Sequence, residues 1–358
     1  MGWVRIIIRQ VRPLLVLLAG LGLCSACMTR PVVAPFTSGL NQPRGMAFDA
    51  AGNLLVAEAG ALDPAQRSGS QPETNHSSRV VRIDPQGRPT TVVDGLPYTR
   101  YITSGDVGAA DVAVLGDVLY VLTGEGYDDR LSRSVLRIAP GTEPQPVVNL
   151  LDFATATLPL EYQMSTGSAP SNPYAMVAAP DGHALYITDG ASGRVLRVAL
   201  DGTVELFAEL PDMPPLAGLA FGPDQKLYVA MFSVLPHTPG SGAIWAAAPS
   251  GTLTPAVQGL TMPIDVGFDA AGTMYVLEFS AAPRPAQPYT AGRGRLLRIE
   301  HDGARTIVLD RLNYPTAMVF APTGDLYIAV GGAFTAPHQG AILRVPCLAL
   351  GTPHACPQ

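Results

Sequence analysis

Lysine is almost absent from this 358-residue chain: Lys226 is the only one, and it sits in a hairpin turn. Imine chemistry on a lysine would have to use that one residue, so it is set aside. Charge of any kind is sparse, at 15%, and no run of basic residues occurs. An acidic chain without basic runs is no partner for nucleic acid or anionic lipid. No G-x-S-x-G elbow, H-E-x-x-H pair or P-loop is present, and Thr123-Gly124-Glu125-Gly126 lacks the lysine a phosphate loop needs. The longest apolar run at the N-terminus, Leu14 to Leu23, is about 10 residues, too short to span a bilayer. Cysteine is limited to four positions, with no ligand pattern for zinc.

What fills the chain is repetition. Gly45-Met46-Ala47-Phe48 leads through Ala51-Gly52 into Leu54-Leu55-Val56. The same phrase recurs as Ala175-Met176-Val177 into Leu185-Tyr186-Ile187, and as Gly218-Leu219-Ala220-Phe221 into Leu227-Tyr228-Val229. It returns as Asp265-Val266-Gly267-Phe268 into Met274-Tyr275-Val276, and as Ala317-Met318-Val319-Phe320 into Leu326-Tyr327-Ile328. Asp111-Val112-Ala113-Val114 into Leu119-Tyr120-Val121 is a version with a shortened turn. Six repeats of about 45 to 65 residues, each with four short strands, predict an all-β, six-bladed β-propeller over residues 31–346. The 37 glycines and 34 prolines then belong to turns. The repeated tyrosines predict packing between blades.

The sixth repeat stops after three strands. Gly39-Leu40-Asn41-Gln42-Pro43 matches Gly259-Leu260-Thr261-Met262-Pro263 and Arg311-Leu312-Asn313-Tyr314-Pro315, so residues 31–40 are expected to supply the missing outer strand. Closure of this kind removes exposed sheet edges. Arg5, Arg9 and Arg12 before the apolar run, with Ser25 and Ala26 after it, predict a signal peptide over 1–26. Leu23-Cys24-Ser25-Ala26-Cys27 is close to a bacterial lipobox, which makes Cys27 the lipidation candidate; free secretion is the alternative. Loss of the three arginines takes the formal charge from −6 to −9. The expected place is the bacterial envelope, periplasmic or extracellular, with membrane contact only through that lipid. In such an oxidising compartment Cys347 and Cys356 are expected to pair across a short C-terminal tail, 347–358.

Connection lengths divide the two faces. Long insertions at 59–78, 124–133, 232–241, 279–292 and 331–339 follow the second strand of a blade; links at 97–107 and 152–171 join blades. Both classes emerge on one face, which is therefore the expected binding side. Toward that face the inner strands place Gly45, Asp111, Ala175, Gly218, Asp265 and Ala317 in one ring, preceded by Arg44, Ala110, Tyr174, Ala217, Ile264 and Thr316. Second strands end in Glu58, Thr123, Asp189, Met231, Glu278 and Val330, and the insertions add His76, His237 and His338. Read functionally, Glu58, Asp111, Asp189, Asp265 and Glu278 are an oxygen-rich set suited to Ca²⁺. Read structurally, each accepts loop amides or pairs with an arginine. Arg44, Tyr174, His76, His237 and His338 are the candidate ligand-binding residues; no catalytic set is visible.

Gln42-Pro43-Arg44-Gly45-Met46-Ala47-Phe48, Ala110-Asp111-Val112-Ala113-Val114, Ser171-Asn172-Pro173-Tyr174 and Asp265-Val266-Gly267-Phe268-Asp269 together resemble the ScyD/ScyE family of exported, NHL-like propellers. Met231-Phe232-Ser233 departs from it where an acidic, glycine-rich turn is usual. With no complete catalytic set visible, the leading expectation is a non-catalytic binding or scaffold propeller of the bacterial envelope, a monomer whose decorated face holds an envelope protein or small molecule. Related NHL-like propellers include metal-dependent lactonases, so the rival expectation is a Ca-dependent hydrolase of the gluconolactonase type, with Glu58 at a lactonase-like ligand position. A quinone-dependent dehydrogenase is less favoured, because Arg44 is the one basic group at the mouth for an acidic cofactor.

Overall fold

The computed structural model describes residues 33–63, 65, 72–101, 105–127, 130–166, 170–283, 289–350 and 356. The expected signal segment, 1–26, and Cys27 lie outside them. Six antiparallel sheets follow one another along the chain as propeller blades. Each inner strand touches the next, and Ala317–Phe320 of blade six touches Pro43–Phe48 of blade one, so the ring closes. Closure comes from the predicted source: Pro35–Leu40 pairs antiparallel with Gly340–Val345 as the outer strand of blade six. Leu40 and Thr37 are buried there.

The matched Gly-Leu-x-x-Pro turn has a backbone reason. Gly39 and Gly259 adopt φ of 83° and 71°, and Gln42 and Met262 adopt 53° and 52°. This double reversal turns the chain from an outer strand into the next inner strand. Its carbonyls then receive the end of the second strand: Ala59 N donates to Gln42 O at 3.1 Å, and Phe279 N to Met262 O at 2.9 Å. The turn thus fixes where each inner strand enters the channel.

Between blades the repeated tyrosines do what their period predicts. Tyr186, Tyr228, Tyr275 and Tyr327 each meet a phenylalanine of the next inner strand: Phe221, Phe268, Phe320 and Phe48, with ring centroids 4.8–5.3 Å apart. Edge contacts of this kind add about 0.5–1.5 kcal/mol each beyond area burial. Isoleucine, leucine and valine from the middle strands complete the cores between sheets.

Two connections differ from the loops expected. Blade one has five strands, because Glu73–Ile83 and Pro89–Tyr101 run past the blade and Gly105–Val107 pairs with their extension. The Thr and Tyr residues at 98–101 are good strand formers, and residues 73–78 give them a partner. Between blades two and three, Leu150–Thr157 and Leu160–Thr166 are helices. Asn149 caps the first by accepting from Leu151 N, and Leu150 and Ala154 turn inward. Cys347 and Cys356 stand in disulfide geometry, their Cα atoms 5.6 Å apart, at the end of a tail held by Arg298 on the Leu350 carbonyl.

Candidate functional site

A cavity of about 480 Å³ occupies the central channel and is lined by all six inner strands. In the ring of Gly45, Asp111, Ala175, Gly218, Asp265 and Ala317 small residues prevail, since six strands converge there. Asp111 and Asp265 are the exceptions, and both lie along the wall. Asp111 Oδ1 accepts from Val112 N at 2.8 Å and Oδ2 from Met176 N of blade three at 2.7 Å. Asp265 repeats this with Val266 N at 2.8 Å and Met318 N of blade six at 2.7 Å. Each carboxylate also fills the space a side chain would need on the preceding blade: a Cβ on Gly45 would lie 1.7 Å from Asp111 Oδ1, and one on Gly218 would lie 2.0 Å from Asp265 Oδ1. Both residues are thus clamps across three blades. Burial pushes the Asp111 carboxyl up to about 8 and the Asp265 carboxyl up to about 7, against the amide bonds that favour the charged form.

The other three carboxylates of the expected metal set are committed elsewhere. Glu58 is fully buried and bound by Arg79, and Glu278 by Arg295 and by Thr261 N at 2.6 Å. Asp189 accepts from Asn172 N at 3.0 Å and Ala191 N at 2.9 Å, and burial raises its pKa. Among the described residues, no three His, Cys, Asp or Glu side chains gather as a metal ligand set. The residues present do not fit a Ca²⁺ centre, and no step through one is derived. The structure brings these five residues to one face of the ring, not to one another.

At the mouth the geometry differs. Arg44, half-buried, donates through Nη2 to the Asp106 carbonyl at 2.6 Å, and its charge acts on the Tyr174 hydroxyl beside it. Burial, first of all, holds the Tyr174 hydroxyl protonated, its pKa pushed up to about 12. The Asp106 carboxylate is taken by Gln42 Nε2, with Arg100 Nε 3.9 Å away and Arg100 in turn on Glu73 at 3.0 Å. Gln42, Asp106 and Arg100 were not among the expected site residues. Asp106 sits on the extra strand of blade one, so its partnership with Arg44 could not be read from repeat positions.

The three histidines separate. His76 is exposed on the extended strand Glu73–Ile83, not in a loop. His338 is exposed, with its amide on Asn41 Oδ1 at 2.8 Å. His237 is 4% exposed, its Nδ1 against Ser233 and its Nε2 3.0 Å from the Tyr289 hydroxyl. Around it the loops of blades four to six assemble Phe232, Phe279, Tyr289, Tyr314 and Phe334, with Tyr289 and Phe334 stacked at 5.0 Å. Burial lowers the His237 pKa and favours its neutral form. Sequence offered one signal for this cluster: a phenylalanine directly follows the second strand in blades four and five, as Phe232 and Phe279.

No protein-family model matches the chain, and no curated protein matches it in sequence. Solved structures do match. The PQQ-bound aldose sugar dehydrogenase of Streptomyces coelicolor is 18% identical, over 87% of this chain and 96% of that one, with a TM-score of 0.57. A Thermus thermophilus protein described as a putative oxidoreductase (glucose dehydrogenase) is 17% identical, over 87% and 98%, with a TM-score of 0.56. A protein described as a putative gluconolactonase is 15% identical, over 88% and 93%, with a TM-score of 0.52. The likeness is one of fold. This chain is a six-bladed propeller among propellers of diverse descriptions, and its chemistry has to be argued from its own channel.

Proposed function

We propose that this chain is an exported, ScyD/ScyE-like binding propeller of the bacterial envelope that takes a small molecule at the loop-decorated mouth of its central channel. The observation carrying this reading is the contrast within one cavity of about 480 Å³. The wall carboxylates are spent on backbone amides, while Arg44 and Tyr174 at the rim have hydrogen-bonding capacity left. A cavity of that size, mostly apolar with a few convergent polar groups, is the usual form of a small-molecule site. Export rests on Arg5, Arg9, Arg12 and the Leu14–Leu23 run, and lipidation on Cys27. The hydrolase rival asks for converging ligands, and the carboxylates that would supply them hold the ring together instead.

Purified mature protein, residue 28 onward, tests the choice by elemental analysis and by melting in calcium and in chelator. The binding reading expects no stoichiometric metal and equal melting in both. Stoichiometric calcium with a chelator-sensitive melt would put the rival hydrolase reading first.

A further inference from the structure

Four arginines on the decorated face are neutralised in place, and one that lines the channel cavity is not. Arg79, Arg100, Arg194 and Arg295 each hold a carboxylate: Glu58, Glu73, Glu209 and Glu278. Arg44 holds none. Among the described residues its hydrogen-bond partner is a carbonyl, on Asp106, with the Tyr174 hydroxyl beside it. In an acidic protein, a half-buried guanidinium lining the channel cavity without a carboxylate is an incomplete pair, since such charges are normally matched.

We propose that the mouth is a receptor for a small organic monocarboxylate with an apolar body, the carboxylate gripped by the Arg44 guanidinium and the Tyr174 hydroxyl. This inference rests on the binding reading above and names its ligand class. A guanidinium carries five N–H donors in a fork that fits a carboxylate side-on, and one carbonyl acceptor does not exhaust it. Burial keeps the Tyr174 hydroxyl beside it protonated, so that group has a proton to donate to the ligand. Beneath the rim the walls carry Met46, Met176, Leu219, Val266, Met318 and Phe268, which suit an alkyl or aryl body. A single charge is specified as well. The rim offers one guanidinium, and Asp106, Asp111 and Asp265 stand near enough to disfavour a second negative charge.

The test is calorimetry and thermal shift on the mature protein with phenylacetate and octanoate as probes, against phenylacetamide and phenethylamine. The carboxylates are expected to bind, with phenylacetamide about 10-fold weaker or worse. Arg44→Gln should lose about 10- to 100-fold in carboxylate affinity while melting like the parent, and Arg44→Lys should recover part of it. Tyr174→Phe should show a smaller loss. Equal binding of the amide, unchanged binding by Arg44→Gln, or preference for the amine would overturn the proposal. A mouth-blocking variant, Ala110→Trp, separates the place of binding from the class of ligand. If the amide or amine binds the parent and fails on Ala110→Trp, the channel-mouth reading stands and the carboxylate class falls. If no probe binds the parent at about 10 mM, or Ala110→Trp binds as the parent does, both fall.

Discussion

Gly45 and Gly218 should be among the least replaceable residues of the channel, although neither has an unusual φ. Their constraint is the neighbouring aspartate. In Gly45→Ala the new methyl would stand 1.7 Å from Asp111 Oδ1, 2.1 Å from its Cγ and 2.8 Å from its Cα. Rotating the carboxylate away cannot relieve the last contact, so strand and side chain both have to shift. Displacement breaks the bonds from Val112 N and Met176 N, leaving two buried donors without an acceptor. Overpacking costs about 1–3 kcal/mol and each of the two orphaned donors about 1–3, so a loss of at least about 3 kcal/mol is expected. For a chain of this size that is a fall of roughly 4 °C or more in melting temperature. Gly218→Ala should behave alike, with the methyl 2.0 Å from Asp265 Oδ1 and 2.7 Å from its Cα. Gly267→Ala is the control: it lies two residues beyond Asp265, its nearest contacts are at 3.6 Å, and it should change stability by less than about 1 kcal/mol. Calorimetric melting of the three variants decides. If Gly45→Ala and Gly218→Ala melt with Gly267→Ala, the clamp is not what dictates glycine and the reasoning fails.

Asp111 and Asp265 also predict a pH slope. Their folded-state pKa values, about 8 and about 7, lie above the unfolded value, so each destabilises the fold once ionised; stability present in acid is lost as pH rises from about 4 through 8. Melting should fall from pH 6 to pH 9, and Asp111→Asn should flatten the slope while lowering stability at pH 6; a rising melt across this window refutes it. The same ionisation should weaken phenylacetate binding above pH 8, with Arg44, Asp106 and Tyr174 the other charged or titratable groups at the mouth. Deleting residues 33–40 should expose Gly340–Val345 as a sheet edge and produce soluble aggregates in size-exclusion chromatography, whereas a monomeric deletion would count against closure by the N-terminal strand. Reducing the Cys347–Cys356 pair should cost about 2 kcal/mol, as a loop this short implies, read as a modest melting shift in dithiothreitol.

What the chain announces in advance is whatever is local. The tyrosine in five of the second strands, the phenylalanine closing four of the inner strands and the Gly-Leu-x-x-Pro turn are all set within a few residues, and the blades form where they recur. Closure was legible for the same reason, because Gly39-Leu40-Asn41-Gln42-Pro43 carries the repeat's own turn. Partnerships between distant loops were not legible. Arg44 meets Asp106 across 62 residues through a strand that exists only because the blade-one hairpin overruns its sheet. The helices at 150–166 hide in a link whose period is too short to declare itself. The histidines show the limit most plainly: three similar loop positions became one buried residue in an aromatic cluster and two exposed ones. No feature of Pro236-His237 and Pro337-His338 distinguishes them in sequence; the neighbouring loops do.

The ring positions also reveal an order that single blades conceal. Gly45, Asp111 and Ala175 are followed three blades later by Gly218, Asp265 and Ala317, with the same glycine contact and the same pair of amide bonds, at 2.8 and 2.7 Å in both halves. The channel wall is therefore a three-blade unit used twice, related by a half-turn about the channel. One residue earlier the halves diverge: Arg44, Ala110 and Tyr174 on one side, Ala217, Ile264 and Thr316 on the other. The loops above diverge in the same sense, with Arg100, Asp106 and Glu73 over blade one and the aromatic cluster over blades four to six. A symmetric frame carrying one polar and one apolar half orients what it holds. A carboxylate would face blades one and three, its body would lean toward blades four to six, and the reverse pose would bury charge against Ile264 and Met318.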